Sequence, residues 1–259
     1  MNEKPFILIP AKGKSNRLPG KNLLSIGGKS LVQLAINRSL DSGLGDVYVS
    51  SESAATLHHV IRYYRNSKIN LNGPIIEVRK GLFLIKRPLE LSSDIARAVD
   101  VCIHAIELLK SEDYTSIIVT LPTSPFATAD DLIAAWELSS GTLRKVVMSV
   151  NKLEINPNTL MTVVGGLGWS ISEDIERGPN SNAIWSRNYV MAGRGKEIFK
   201  SNGAVFISPC DLLVYHKEQY SDGMVVYVMP EERSLDINTE FDYQVATALW
   251  RQKNENSSC

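Results

Sequence analysis

The stretch Phe6-Ile-Leu-Ile-Pro-Ala-Lys-Gly-Lys-Ser-Asn-Arg-Leu-Pro-Gly-Lys-Asn22 decides the fold of this chain. A short apolar strand leads directly into a loop that carries four cations, Lys12, Lys14, Arg17 and Lys21. Residues 4–40 contain seven Lys or Arg and no Asp or Glu, although the formal net charge of all 259 residues is +0. A buried strand followed by a cationic loop is typical of a site for a polyanion.

The bulk composition limits the classes of partner. The sequence pI is near 6.9, so a compact anion such as a nucleoside triphosphate fits better than a nucleic acid or an anionic membrane. No apolar run reaches the roughly 18 residues of a membrane span, and no signal-peptide pattern opens the chain. The cysteines, Cys102, Cys210 and Cys259, are too far apart for a metal pair or a disulfide framework, so we expect a reducing, cytoplasmic compartment.

Short runs rich in Val and Ile alternate with helical patterns through most of the chain. The runs predict buried strands over residues 6–9, 47–50, 75–78, 116–121, 145–150, 203–207 and 225–229. The helical patterns cover residues 30–42, 53–66, 94–110, 129–139 and 239–250. This alternation predicts an α/β fold of βαβ units, with a mostly parallel sheet and helices on both faces.

Residues 151–200 interrupt this alternation. They are rich in Asn and Gly and show no clean helical period. We interpret them as an insertion with hairpins in a single domain that spans residues 1–259. Two interpretations stay open for this segment: an arm that packs on a partner subunit, or a long surface segment within one subunit.

The cationic loop is the first candidate site. Gly13 would allow a phosphate to approach the backbone closely, and Ser15 and Asn22 can donate neutral hydrogen bonds. Ligands of open α/β sheets lie beyond the carboxyl ends of the strands, which is where this loop begins. The location favours a phosphate site over the alternative, a solvated basic loop.

A second candidate lies near the carboxyl end of the chain. Asp236 and Asn238 are two residues apart, so in an extended segment their side chains point the same way. Oxygen ligands of this kind suit Mg²⁺, which also binds phosphate oxygens and water. The alternative is that both residues only cap the last helix.

A family resemblance rests on several motifs. Residues 9–22 resemble the signature I-P-A-R-x-x-S-x-x-x-P-x-K-N of the sugar-activating cytidylyltransferases, and the match is closest to the acylneuraminate (CMP-sialic acid) synthetases. The related KDO cytidylyltransferases lack the P-T-S-P element present here. Further segments resemble the family's motifs in order: Val47–Ser53, Lys86–Asp94, Leu121–Phe126, Asn202–Phe206 and Asp236–Asp242.

The resemblance implies a Rossmann-like fold of the nucleotide-diphospho-sugar transferase type and a homodimer whose arm comes from residues 151–200. It implies a nucleotidyltransferase that uses Mg²⁺ and joins CTP to a nonulosonic acid, an acidic sugar, with release of pyrophosphate. The implied catalytic residues are Lys21 and Asp236, and the implied metal ligands are Asp236 and Asn238. The implied nucleotide-binding residues are Pro10, Ala11, Lys12, Gly13, Lys14, Ser15, Arg17, Asn22 and Arg87.

The implied sugar-binding residues are Pro122, Thr123, Ser124, Asn202 and Gly203. Plain structural roles stay open beside these: a surface arginine for Arg87, a capping turn for residues 122–124, and a strand-entry turn for residues 202–203.

Four positions depart from the family pattern: Lys12 and Ala127 replace arginines, Leu121 a glutamine and Asn238 an aspartate. A lysine keeps the charge of an arginine but loses its bidentate geometry. These departures leave two further functions open. One is a nucleotidyltransferase for another nucleotide or sugar, and the other is a non-catalytic homologue that binds nucleotide or serves as an assembly subunit.

Overall fold

The computed structural model describes residues 4–65, 72–140, 145–153, 161–164, 167–170, 198–219 and 224–256. The contacts divide the chain into two compact units, Asn151–Lys200 and the remainder of the chain. In the described part of the chain, no helix is long and apolar enough to cross a bilayer.

Twelve strands and six α-helices have bounds within the described ranges. The strands are β1 Pro5–Pro10, β2 Ser25–Ile26, β3 Lys29–Ser30, β4 Asp46–Ser51, β5 Ile75–Arg79, β6 Leu82–Lys86, β7 Ser116–Val119, β8 Val147–Leu153, β9 Met161–Val164, β10 Leu167–Ser170, β11 Ile198–Pro209 and β12 Val225–Val228. The helices are α1 Leu31–Ser42, α2 Ala54–Tyr64, α3 Ala98–Leu108, α4 Ala129–Ser139, α5 Cys210–His216 and α6 Glu240–Asn256.

The central sheet has eight strands in the order β12-β8-β11-β7-β1-β4-β6-β5. Parallel pairing joins β1 to β4 and β7, β4 to β6, and β8 to β12. Antiparallel pairing joins β5 to β6 and β11 to β7. The mostly parallel sheet is therefore confirmed. Because β1, β4, β6 and β7 run the same way, their carboxyl ends meet at one edge of the sheet.

Apolar side chains on both faces of β1 bury the sheet between two layers of helices. Ile7 and Ile9 pack in a cluster with residues of α1, α2 and α4, whereas Phe6 and Leu8 pack in a cluster with residues of α3 and α5. All four side chains are fully buried. This double burial is the physical reason why the strand reads as a continuous apolar run, and it confirms the helices on both faces.

A third cluster supports the segments at the carboxyl edge of the sheet. It joins the cationic loop, the start of α1, the turn after β7 and α6 through Leu18, Ile26, Leu31, Phe126, Ile237 and Ala246. The apolar member of the loop, Leu18, is thus anchored in a core while its charged neighbours stay near the surface.

Some elements differ from the predicted ones. Strand β6 was not predicted: it pairs antiparallel with β5 after a turn in which Gly81 has φ +79°. Helix α3 begins at Ala98 rather than at residue 94, because Leu89–Ser92 form a 3-10 helix and Asp100 caps the start of α3. Helix α5 was also missed.

The unit Asn151–Lys200 contains the antiparallel pair β9 and β10, with Val164 opposite Leu167. Most of the rest of the segment lies outside the described residues, so its use as a dimerisation arm stays a prediction.

The docking of α6 against the turn between β2 and β3 can be tested at two adjacent glycines. A Cβ on Gly27 would lie 2.0 Å from Trp250 Nε1, whereas a Cβ on Gly28 meets nothing within 4 Å. Both residues have positive φ, +60° and +79°. Gly28→Ala should therefore cost only the backbone strain, about 1 kcal/mol, whereas Gly27→Ala should cost about 2–4 kcal/mol. Equal losses in urea unfolding would contradict this docking.

Candidate functional site

A cleft of about 580 Å³ opens at the carboxyl edge of the sheet, beside β1 and β7. β1 also lies at the topological switch point of the sheet, where the strand order changes direction, because β4 lies on one side of β1 and β7 on the other. The residues that line the cleft are Pro10, Lys12, Lys14, Ser15, Asn16, Arg17, Lys21, Asn22, Asp94, Leu121, Pro122 and Thr123. Most of the predicted nucleotide-binding residues are therefore brought together.

Hydrogen bonds to neighbouring segments hold the cationic loop in place. The Ala11 amide donates to the Ser50 carbonyl over 2.8 Å, and Asn22 Nδ2 donates to the Lys12 carbonyl over 2.8 Å. The Gly13 amide donates to Glu52 Oε1 over 2.7 Å. Ala11 is buried, and a Cβ on Gly13 would lie 2.3 Å from the Cβ of Ser53, so these two predicted residues shape the loop from below.

The cations of the loop differ in their partners. Lys12 Nζ lies 3.3 Å from Asp94 Oδ1 and donates to the Ser93 carbonyl, in a pair that is largely exposed. Among the described residues, the other three cations, Lys14, Arg17 and Lys21, have no carboxylate within ion-pair distance. The cleft therefore concentrates positive charge that only the Lys12–Asp94 ion pair, among the described residues, partly neutralises.

Lys21 is partly buried, whereas Lys14 and Arg17 are exposed. Burial lowers the pKa of its ammonium, the carboxylates of Asp236 and Asp242 act to raise it, and the nearby Arg17 acts to lower it; the net pKa lies below the usual lysine value. A partly desolvated ammonium interacts more strongly with an anion than one in open water.

A buried carboxylate behind the loop connects three segments. Glu52 Oε2 accepts from Arg87 Nη2 and from Ser92 Oγ, both over 2.8 Å, while Oε1 accepts from the Gly13 amide. The side chains of Arg87 and Glu52 are only 3% and 8% exposed. Burial alone would raise the pKa of Glu52, but the bonds from Arg87, Ser92 and Gly13 outweigh it and hold the pKa at about 2.

Arg87 therefore does not line the cleft as predicted from its motif. Its guanidinium is engaged by Glu52 beneath the loop, and its Nε is buried with no hydrogen-bond partner among the residues that the structure describes. A direct role in nucleotide binding stays a prediction, and the plain reading as a surface arginine does not describe this buried side chain.

The turn after β7 forms another wall of the cleft. Leu121, Pro122 and Thr123 line it, while Ser124 is fully buried and its hydroxyl donates to the Asn202 carbonyl over 3.4 Å. The Thr123 carbonyl accepts from the Ile237 amide over 2.8 Å. This backbone bond places the segment that carries Asp236 and Asn238 against the turn.

The predicted metal ligands are adjacent. Asn238 Nδ2 donates to Asp236 Oδ2 over 2.6 Å, and Asn238 Oδ1 accepts from Arg17 Nη2 over 2.9 Å. The other carboxylate oxygen, Asp236 Oδ1, is buried and has no hydrogen-bond partner in the part of the chain that the structure describes. The cap of α6 is formed instead by Asp242, whose Oδ2 accepts from the Asn238 and Thr239 amides, so capping does not explain Asp236.

The last two predicted sugar-binding residues do not line the cleft. Asn202 is buried, with Oδ1 accepting from Ser149 Oγ over 2.6 Å and Nδ2 donating to Ser234 Oγ over 3.0 Å. Gly203 has φ +70°, and a Cβ there would lie 2.9 Å from Leu121 Cδ1. Both residues support the wall of the cleft, and their contact with a sugar stays a prediction.

Several residues of the site were not singled out from the sequence. Glu52 and Asp94 lie inside segments that carry the family resemblance, so the sequence could have indicated that they belong to the site. Asn16 lies in the loop itself and donates to Asp94 Oδ2 over 3.0 Å. Arg38, which contacts the turn after β7 from α1, had no signal in the sequence.

The fold and the cleft together define a class: an α/β protein with a cleft lined by cations at the switch point of its sheet. Comparison with known proteins narrows the class. The sequence profile of the cytidylyltransferase family matches residues 6–138, just over half of the chain. The chain belongs to the cytidylyltransferase family.

Named relatives agree over nearly the whole chain. An N-acylneuraminate cytidylyltransferase of Streptococcus agalactiae serotype III is 26% identical over 249 residues, which cover 93% of this chain and 52% of that protein. A pseudaminic acid cytidylyltransferase of Campylobacter jejuni is 23% identical over 260 residues, which cover 98% of this chain and 99% of that protein. The chain thus spans about half the length of the first of these relatives.

A solved structure has the same fold. It is a CMP:2-keto-3-deoxy-manno-octonic acid synthetase complexed with CTP, and it superposes with a TM-score of 0.62 at 18% identity, covering 97% of this chain and 100% of the other. This likeness confirms the predicted fold of the nucleotide-diphospho-sugar transferase type.

The buried Glu52 carboxylate predicts a pH-dependent contribution to stability. Because its pKa falls from 4.5 to about 2 on folding, this contribution is fully present above pH 4.5 and is lost as the pH falls toward 2. Glu52→Gln leaves Arg87 buried without its anion, so near neutral pH it should cost about 3 kcal/mol in the free energy of unfolding. Urea titrations from neutral pH to about pH 3 should show this difference shrinking.

The matched control is Asp100→Asn, which breaks the Arg97–Asp100 pair on the surface of α3, where the side chains are 58% and 30% exposed. It should cost less than about 1 kcal/mol. Equal losses in the two variants, or a Glu52→Gln difference that does not change with pH, would contradict this account of Glu52.

Proposed function

We propose that this chain transfers the cytidylyl group of CTP to a nonulosonic acid, an acidic sugar of the sialic acid type, and releases pyrophosphate. One observation carries the proposal. Three cations that have no carboxylate partner among the described residues, Lys14, Arg17 and Lys21, line one cleft at the switch point of the sheet. The cleft lies next to the segment of Asp236, whose Oδ1 is unpaired within the same described residues. The named relatives act on sugars of this type, and the solved neighbour carries CTP.

The reaction requires positioning and charge neutralisation rather than a protein nucleophile. The anomeric hydroxyl of the sugar attacks the α-phosphorus of CTP in line, a new C–O–P linkage forms, and the bond to the bridging oxygen of pyrophosphate breaks. The proton of the attacking hydroxyl passes to solvent water, and the electron pair of the broken P–O bond stays on pyrophosphate. Lys14, Arg17 and Lys21 would stabilise the charge that develops on the leaving group.

Mg²⁺ is part of the proposal, and the chemistry of the residues fits it. Asp236 offers a buried carboxylate oxygen without a partner. Asn238 has its carbonyl engaged by Arg17, so Asp236 is the stronger ligand of the two. No cluster of three or more His, Cys, Asp or Glu occurs among the described residues, which agrees with a metal bound through one carboxylate plus phosphate oxygens and water. When bound, Mg²⁺ would neutralise phosphate charge.

The acidic sugar would approach from the side of the turn after β7. Pro122 and Thr123 line the cleft there, and Leu121 adds an apolar side chain backed by Gly203. An apolar side chain at this wall favours a sugar that presents a methyl or acyl group to Leu121. A sugar with a polar group there would lack the hydrogen bond that a side-chain amide would provide. The homodimer, with residues 151–200 as its arm, and the cytoplasmic location belong to the same proposal and rest on the family resemblance.

Two observations keep other functions open. Leu121 would also suit a nucleotidyltransferase for a different nucleotide or sugar. Asn238 stands where the family pattern has an aspartate, so one carboxylate fewer lies near the proposed phosphate site. This loss would suit a non-catalytic homologue that binds nucleotide. One experiment separates these functions from the proposed one.

The purified protein is incubated with Mg²⁺ and with CTP, ATP, GTP or UTP, each against a panel of nonulosonic acids and hexosamines, and pyrophosphate release is measured. Release with CTP and a nonulosonic acid, abolished by EDTA, is the expected result. Release only with another pair would identify the second function. Retained nucleotide binding without release across the panel would identify the third.

Lys21→Ala tests the transition-state role of a partly buried cation that lines the cleft. It should lower kcat at least about 100-fold, because an interaction with the leaving group is strongest in the transition state. Lys80→Ala is the matched control. Lys80 is exposed in the turn between β5 and β6. This turn lies at the opposite edge of the sheet, because its Gly81 carbonyl accepts from the Val47 amide at the start of β4. A near-normal kcat for Lys21→Ala, or equal effects of both variants, would remove Lys21 from the mechanism.

A further inference from the structure

A buried guanidinium lies directly behind the cleft. Arg38, on α1, is only 5% exposed. Its Nε and Nη2 donate to Thr120 Oγ1 over 3.1 and 2.9 Å, its Nη1 donates to the Ser124 carbonyl over 2.9 Å, and its Nη2 also donates to the Leu121 carbonyl over 2.5 Å. All of these acceptors belong to the segment that follows β7.

The partners of Arg38 are all neutral. The ion pairs among the described residues join Lys12 to Asp94, Arg87 to Glu52, Arg97 to Asp100 and Arg233 to Asp131, and none includes Arg38. A buried cation without a carboxylate partner carries a large desolvation cost, and a well-packed apolar side chain in its place is often no less stable. Stability alone therefore does not account for Arg38.

Burial lowers the pKa of the Arg38 guanidinium to about 9, and the charge of Asp131 acts in the opposite direction. The Asp131 carboxylate is itself engaged by Arg233 Nε and Nη2 and by the Tyr227 hydroxyl. At neutral pH, Arg38 therefore retains its proton and its full set of donors.

The acceptors show what Arg38 holds. The Ser124 amide donates to the Leu121 carbonyl over 3.2 Å and the Ala127 amide donates to the Ser124 carbonyl over 3.3 Å, so these two carbonyls open two consecutive turns. The planar fork of the guanidinium binds both carbonyls at once, which a lysine ammonium cannot reproduce. Pro122 and Thr123, between the two carbonyls, line the cleft.

The same turn places the Asp236 segment. The Thr123 carbonyl accepts the Ile237 amide, and Ile237 is fully buried in the core under the cationic loop. Asp236 and Asn238 flank Ile237 in sequence. One backbone bond therefore connects the turn to the segment of Asp236, the carboxylate that acts on Lys21.

We propose that Arg38 is a positioning residue of the nucleotidyl transfer site: its guanidinium fixes the two turns after β7, and through the Thr123–Ile237 bond it sets the position of Asp236 relative to the cationic loop. This inference rests on the proposed function for its kinetic consequences. Its structural consequences do not depend on that function.

Arg38→Met tests the proposal, because methionine fills a similar space without the fork. The Leu121 and Ser124 carbonyls keep their backbone partners in this variant, so we expect local loosening rather than unfolding. Arg38→Lys restores the charge and part of the hydrogen bonding. Ile36→Ala is the control: Ile36 lies on the same helix and is fully buried, but its apolar side chain makes no hydrogen bond to the Leu121 and Ser124 carbonyls.

The first measurement is amide hydrogen exchange of the free protein. In Arg38→Met, the amides of Ser124, Ala127 and Ile237 should exchange at least about 10-fold faster relative to those of β1, because these amides close the two turns and the Thr123–Ile237 bond. Ile36→Ala should instead raise exchange throughout the domain. A uniform rise in Arg38→Met, or no rise at the three amides, would overturn the proposal.

The second measurement is steady-state kinetics with CTP and Mg²⁺. Arg38→Met should raise the KM for CTP and the Mg²⁺ concentration needed for half-maximal rate, each by about 10- to 100-fold, since misplacement by a fraction of an ångström is costly at a preorganised site. Arg38→Lys should recover part of both changes, and Ile36→Ala should keep wild-type values below its own melting temperature.

The outcomes separate the two proposals. A wild-type protein that is inactive across the substrate panel would overturn the proposed function, and the exchange experiment would still decide the role of Arg38. An active wild-type protein whose Arg38→Met variant keeps its KM and Mg²⁺ requirement would overturn the role of Arg38 and leave the proposed function standing.

Discussion

The parallel pairing of β1 with β4 on one side and β7 on the other is the constraint on which the site depends. Pro10 lies opposite Ser50, and Leu8 lies opposite Val119, so all three strands end at the same edge. The segments that follow these ends are the cationic loop, Glu52 and the turn at Leu121–Ser124. Because the backbone ladder fixes this register, side chains more than a hundred residues apart in sequence meet in one cleft.

Charge is distributed unevenly around that cleft. The cations that line it have few carboxylates nearby, whereas the buried Arg87 is matched by Glu52 and the buried Arg38 by neutral oxygens alone. This arrangement leaves positive charge where a triphosphate would lie. The Arg87–Glu52 pair and the Arg38 hydrogen bonds hold the segments behind the cleft, and a ligand would not have to displace them. Cations clustered in a cleft repel one another, so a bound polyanion would stabilise the loop as much as the loop stabilises the anion.

Much of the fold could be predicted because it follows from local chemistry. The run Phe6–Ile9 predicts a strand buried on both faces, and the helical patterns over residues 129–139 and 239–250 predict α4 and most of α6. Strand β6 and the 3-10 helix at Leu89–Ser92 were missed. The pairing of β6 with β5 and β4 is what makes it a strand, and pairing has no signature in a short apolar run.

The features of the candidate site also divide into those that the sequence predicts and those that only the tertiary structure shows. The sequence by itself determined that a cationic loop follows the first strand and that Asp236 and Asn238 point the same way, since both properties depend on residue type and spacing over a few positions. Only the tertiary structure decided that Arg87 binds Glu52 rather than the cleft, that Asp236 keeps one oxygen unpaired, and that Arg38 reaches the turn after β7. These contacts join segments distant in the chain, and their geometry is set by packing and strand register, which no local pattern encodes.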